Sequence, residues 1–137
     1  MTLKWRVIVT KLIVDTSVWI EYFADSARGK QVASLIDSPH AELFVPASVI
    51  AEVVKIHIDK KKDPVPVVEA LQNLSSIVPL DVDLAFVAAK LYNFGRIKNS
   101  SFGMLDAFVI ATAREVGGKV LTFDNSFRPF KETIIPV

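Results

Sequence analysis

Short apolar runs alternate along this chain with longer segments of helical periodicity, and that alternation leaves few folds open. Leu12-Ile13-Val14 reads as the end of a buried strand that starts as early as Val7. Asp15 and Thr16 lead into a helix with Val18, Trp19, Tyr22 and Phe23 on one face, and a second helical piece covers Gly29 to Ile36. Leu43-Phe44-Val45 is a strand stopped by Pro46, which has no N–H to give a sheet ladder. Ser48 is a natural N-cap for the next helix, whose apolar positions are Ile50, Val53, Val54 and Ile56 to Ile58. Asp59-Lys60-Lys61-Lys62-Asp63 is a solvated charge run, and Asp63-Pro64 restarts a helix through Val67, Val68, Leu71 and Leu74. Ile77-Val78 is a strand closed by Pro79, and Asp81 caps a helix from Val82 to Tyr92. The glycines, asparagines and serines of Asn93 to Gly103 predict a loop. Met104 to Val116 is helical and ended by Gly117-Gly118. Lys119 to Phe123 is a strand, Asp124-Asn125 begins a turn, and Thr133 to Val137 adds an edge strand. Strands separated by helices imply βαβ units, hence an α/β fold with a mostly parallel sheet covered on both faces.

A chain of 137 residues is long enough for one real core, so residues 1–137 are read as a single domain. Hydrophobic residues at 51% and charged residues at 23% exclude a disordered chain. With Cys 0 there are no disulfides, thiolate metal sites or cysteine nucleophiles. No apolar run approaches the ~20 residues that span a bilayer. Lys4, Arg6 and Lys11 interrupt the N-terminal apolar stretches, which read as neither signal peptide nor anchor. A cytoplasmic protein without a membrane partner is expected. The formal charge of +1 predicts no general pull toward polyanions, although it leaves room for a local basic groove.

Function has to come from particular residues, and four carboxylates stand out. In open parallel sheets, ligands gather beyond the carboxyl ends of the strands, where strand order reverses. Asp15 and Asp124 follow strands, while Glu52 and Asp106 lie in the first turns of helices that start on the same edge. Singly, Asp15 and Asp124 also read as caps or turn residues and Glu52 as a solvated helix residue. Asp106 sits in Met104-Leu105-Asp106-Ala107-Phe108-Val109-Ile110-Ala111, where burial without a counterion is costly. Two carboxylates ~5 Å apart repel by roughly 3 kcal/mol at an effective dielectric of ~20. A divalent cation reverses that sign, and an all-oxygen set selects Mg²⁺ or Mn²⁺ over zinc. His40 and His57 lack a paired-ligand spacing. There is no GxSxG elbow and no Walker-type glycine loop. Ser17 replaces the second Asp of a haloacid-dehalogenase-like phosphatase, and Thr16 replaces the adjacent acid of a receiver domain.

The pieces LIVDTSVWIEYF, SVIAEVV, PLDVDLAFVAAKLY, GMLDAFVIATA and GGKVLTFDNSF, in this order, resemble a PIN domain of the VapC-like toxin ribonucleases, over roughly residues 11 to 130. The resemblance implies a three-layer α/β/α domain and a metal-dependent endoribonuclease of a type II toxin–antitoxin pair. Its acidic quartet falls on Asp15, Glu52, Asp106 and Asp124, with Asp15 and Asp106 as primary ligands of Mg²⁺ (Mn²⁺ as substitute) and Thr122 as a supporting hydroxyl. The implied substrate is single-stranded or looped RNA. Rim cations to meet it are sought among Arg28, Lys30, Arg96, Lys98 and Arg128. Implied partners are a second copy, through apolar helices around Val49–Val54 or Leu84–Leu91, and a small protein antitoxin. Residues 1–10 precede the family's usual start and form an N-terminal extension. The alternative is a PIN-like scaffold that binds RNA or a partner without cutting; retention of all four acids speaks against it.

Overall fold

The computed structural model describes residues 9–137. Strands β1 (Thr10–Val14), β2 (Ala41–Pro46), β3 (Ser76–Val78), β4 (Lys119–Leu121) and β5 (Thr133–Ile134) alternate with six helices. These are α1 (Thr16–Phe23), α2 (Ala27–Ile36), α3 (Ala47–Asp59), α4 (Val65–Leu74), α5 (Val82–Lys98) and α6 (Met104–Val116). The expected α/β fold holds. The sheet has five strands in the order β3-β2-β1-β4-β5, and every pairing is parallel. The chain therefore builds from β1 outward through β2 to β3, then returns to add β4 on the other side. The reversal of strand order falls between β1 and β4, where Val14 is level with Leu121.

Strands covered on both faces must be apolar throughout, and Leu12, Ile13, Val14, Val45, Val120 and Leu121 are all buried. Val18 and Trp19 from α1, Val49 and Val53 from α3, Leu71 from α4 and Ile110 from α6 close the core over them. Helix α6 lies against β1, β2 and β4, while α5 packs on α6.

Several boundaries depart from the sequence reading. Thr10 opens β1 rather than belonging to an extension, and the proposed start at Val7 lies outside the described residues. Ser48 does not cap α3. Pro46 occupies the N-cap, and Ser48 is already helical and buried. Helix α5 runs on to Lys98, through the first half of the predicted loop. Gly95 is not a breaker there but a packing residue: any Cβ would collide with the ring of Phe102. That ring is fully buried, 5.7 Å from Phe127 and 4.9 Å from Phe130 between ring centres. Both sheet edges are short, β3 being closed by Pro79 and β5 spanning two residues.

Gly117 ends α6 at φ 71, a left-handed conformation that glycine adopts without a Cβ penalty. Gly29 is needed for a different reason, since a Cβ there would strike the backbone carbonyl of Glu21 where α2 turns back on α1. Gly29→Ala is expected to destabilise the protein by about 1–3 kcal/mol through overpacking. Urea unfolding measures this, and an unchanged midpoint would show that α1 and α2 can separate cheaply.

Candidate active site

Four segments bring acidic side chains to the carboxyl edge of the sheet. The backbone N–H of Asp15 bonds to the Leu121 carbonyl at 2.9 Å, which ties the end of β1 to the end of β4. Asp15 is then the N-cap of α1, and Asp124 stands just past β4, opening a 3₁₀ turn at Asn125–Phe127. Glu52 comes from the second turn of α3 and Asp106 from the first turn of α6.

Hydroxyls hold this cluster together. Thr122 Oγ donates to Asp15 Oδ2 at 2.8 Å and accepts the Asp124 N–H at 3.0 Å. Ser17 Oγ donates to the same Asp15 oxygen at 3.2 Å and accepts the Phe123 N–H at 3.1 Å. Thr16 Oγ donates to Glu52 Oε1 at 3.0 Å, bridging α1 to α3. Thr122 stands where the resemblance puts a supporting hydroxyl. Thr16 and Ser17 also bond to these acids, which the sequence reading misses although both follow Asp15 and carry hydroxyls. In sequence they serve only to exclude other enzymes.

Asp106 and Asp124 each use one oxygen locally. Asp106 Oδ2 accepts the Gly103 N–H at 2.7 Å, half of a capping box, and Asp124 Oδ1 accepts the Ser126 N–H at 2.9 Å. Their other oxygens, and Glu52 Oε2, take no hydrogen bond among the described residues.

The burial ranking differs from expectation. Asp15 is the buried acid, at 6% exposure, whereas Asp106 is half-buried, because its neighbours Met104 and Leu105 face outward. Burial raises the pKa of Asp15; the bonds from Thr122, Thr16 and Ser17 oppose it, and the charge of Asp124 adds to it. Burial likewise raises Glu52, opposed by Thr16 and reinforced by the charge of Asp15. Asp106 is pushed up to about 6, first by desolvation and further by the charges of Asp15, Asp124 and Glu52, against the Gly103 N–H. The four acids thus feel one another, and no described Lys or Arg forms an ion pair with any of them.

No group of three or more His, Cys, Asp or Glu among the described residues is gathered closely enough to hold a metal ion. The donor set nonetheless fits a hard divalent cation. It offers carboxylate oxygens only, on side chains from one edge of the sheet, with oxygens that no described donor takes. His40 is exposed, and His57 bonds along its own helix to the Val53 carbonyl, so neither joins the cluster.

The five cations sought for the rim are all exposed. The Arg28 guanidinium lies over the Phe123 ring at 3.9 Å, and Arg128 Nε donates to Asn125 Oδ1 at 2.9 Å, beside Asp124. Arg96 and Lys98 end α5, a short connection from α6, and lie over Tyr92 and Phe94 of their own helix. Lys30 projects from α2 and forms no ion pair among the described residues.

A family model described as PIN domain matches residues 12–132. Among solved structures, a toxin–antitoxin complex from Klebsiella pneumoniae aligns with a TM-score of 0.73 at 20% identity, covering 92% of this chain and 98% of that one. VapC20 of Mycobacterium tuberculosis, described as a sarcin–ricin loop cleaving toxin, aligns with a TM-score of 0.69 at 22% identity over 88% and 95% of the two chains. VapBC-1 from nontypeable Haemophilus influenzae gives 0.73 at 15% identity over 92% and 98%. No curated protein matches the chain.

Ionising a carboxylate of raised pKa costs more in the folded than in the unfolded state. The penalty from Asp106 is therefore absent below its ordinary 3.8, grows up to about 6 and is complete above that. In EDTA, Asp106→Asn should melt higher than the parent protein above pH 6 and lose that advantage near pH 3.8. Calorimetry across this range checks it, and equal melting above pH 6 would show that the ionised Asp106 carboxylate carries no net penalty in the fold. Thr122→Val, which strips a donor from Asp15 and an acceptor from the Asp124 N–H, should cost about 2 kcal/mol in urea unfolding at neutral pH.

Proposed function

Because the chain belongs to the PIN domain family, we propose that it is a metal-dependent endoribonuclease, the toxin of a type II toxin–antitoxin pair. The observation that carries this reading is the placement of Asp15, Glu52, Asp106 and Asp124 at the carboxyl edge of the sheet where strand order reverses, with Asp15 and Glu52 held by hydroxyls. Like charges on one partly desolvated edge, with no described cationic side chain paired to them, serve binding rather than stability.

In this proposal Asp15 and Asp106 are the primary ligands of Mg²⁺, with Mn²⁺ as a substitute, and Glu52 and Asp124 complete the site. A cation held there supplies activation of water and neutralisation of charge on the leaving oxygen during phosphodiester hydrolysis. Asp15 is the fixed point, since Thr122 and Ser17 orient its carboxylate from two sides. Thr16 orients Glu52. Asp106 and Asp124 each anchor one oxygen to backbone N–H groups and present the other. The RNA backbone, repelled by this cluster, is received by cations at its rim.

The same reading sets the partners. The toxin–antitoxin assemblies among the structural neighbours support a small protein antitoxin. For a second copy, α5 is the better of the two expected faces: Val82, Phe86 and Val87 are exposed there, whereas Val49 and Val53 of α3 lie in the core. The whole chain acts as one domain in the cytoplasm, and no described helix is long and apolar enough to cross a membrane.

Purified protein is expected to cut RNA with Mg²⁺ or Mn²⁺ and to stop in EDTA. Asp15→Asn and Asp106→Asn proteins that remain folded by circular dichroism should lose at least ~100-fold in rate. RNA binding with no metal-dependent cutting, and no metal uptake that needs the acids, would favour a binding scaffold instead.

A further inference from the structure

Arg28 differs from every other cation at the rim in what holds it. Its guanidinium carbon lies 3.9 Å from the centre of the Phe123 ring. Phe123 stands between Thr122 and Asp124, and its N–H is bonded to Ser17 Oγ, which in turn donates to Asp15. The guanidinium is thus seated on the strand end that carries the site. Arg96 and Lys98, by contrast, lean on aromatic residues one turn back on α5, and Arg128 bonds to Asn125. Arg28 forms no ion pair among the described residues, and residues 1–8 contain no acid. One face of the planar group is covered by the ring, while its N–H edge, with donors in fixed directions, has no carboxylate to bind.

We infer that Arg28, seated on Phe123, is a substrate-positioning residue that binds a backbone phosphate of single-stranded RNA next to the bond that is cut. This rests on the ribonuclease reading and adds the residue that steers the strand. An acidic cluster repels the polyanion it has to hold, so register requires a cation whose position is fixed relative to the acids. A freely rotating surface lysine supplies charge without register. Arg28 supplies both, because its support is continuous with the site through Phe123, Ser17 and Asp15.

The test uses a short fluorescein-labelled single-stranded RNA of mixed sequence. Anisotropy with Asp106→Asn protein, which does not cut, gives the reference Kd and its salt dependence. Adding Arg28→Ala should weaken binding about tenfold and reduce the slope of log K against log salt by about 0.7, the value for one single-strand phosphate contact. Arg28→Lys should restore the slope but only part of the affinity. Phe123→Leu should weaken binding with the slope unchanged. In otherwise active protein, Arg28→Ala should raise KM and, because register is lost, lower kcat as well, whereas Arg28→Lys should recover part of both. If the reference protein binds and Arg28→Ala binds equally well with the same slope, the inference is overturned while the ribonuclease reading stands. If the reference does not bind and the parent protein does not cut, both are overturned.

Discussion

The hydrogen bond from the Asp15 N–H to the Leu121 carbonyl joins β1 to β4 at the only place where strand order reverses among the described strands. Just beyond this bond the two chain segments diverge, one into α1 and the other into a 3₁₀ turn, and strand pairing between them ends. Ser17 and Thr122 serve there both as donors to the Asp15 carboxylate and as acceptors for the N–H groups left by the end of the ladder, while Thr16 donates to Glu52. The same atoms therefore finish the sheet and orient the acids.

This economy explains both the successes and the errors of reading the sequence. The strand–helix alternation and the apolar runs Leu12-Ile13-Val14 and Val120-Leu121 are sufficient for a parallel sheet, because a strand buried on both faces has no polar alternative. The acids are visible because they sit at strand ends and helix starts. Cap and candidate site residue look like alternatives in sequence, but the geometry lets one side chain be both. Asp106 and Asp124 take a backbone N–H with one oxygen and leave the other without a partner among the described residues. Burial is the less legible quantity. Asp106 stands among apolar neighbours in sequence, but Met104 and Leu105 point outward, and the deepest acid is Asp15, which local composition does not single out. Gly95 misleads for a related reason: a glycine that makes room for an aromatic ring looks the same in sequence as one that breaks a helix.

The electrostatics set stability against readiness to bind. Each of the three acids with raised pKa is opposed by at least one hydrogen bond that favours its charged form, so the fold partly offsets the desolvation it imposes. It does not offset it with a described cationic side chain. An internal Lys or Arg would offset it more completely and would occupy the space between the acids. Among the described residues, then, the desolvation of these acids is offset only by hydrogen bonds.

The two ends of the sheet limit how this protein can meet another. β3 offers three residues before Pro79, and β5 offers two before the chain reaches Pro136. An incoming strand would find too few free N–H and C=O groups on either side to build a ladder, so lateral growth of the sheet is blocked at both margins. Stable association is left to helical surfaces, where specificity comes from side-chain shape and charge and can drift with sequence. Two relatives sharing this sheet could then diverge in their partners without altering a single strand.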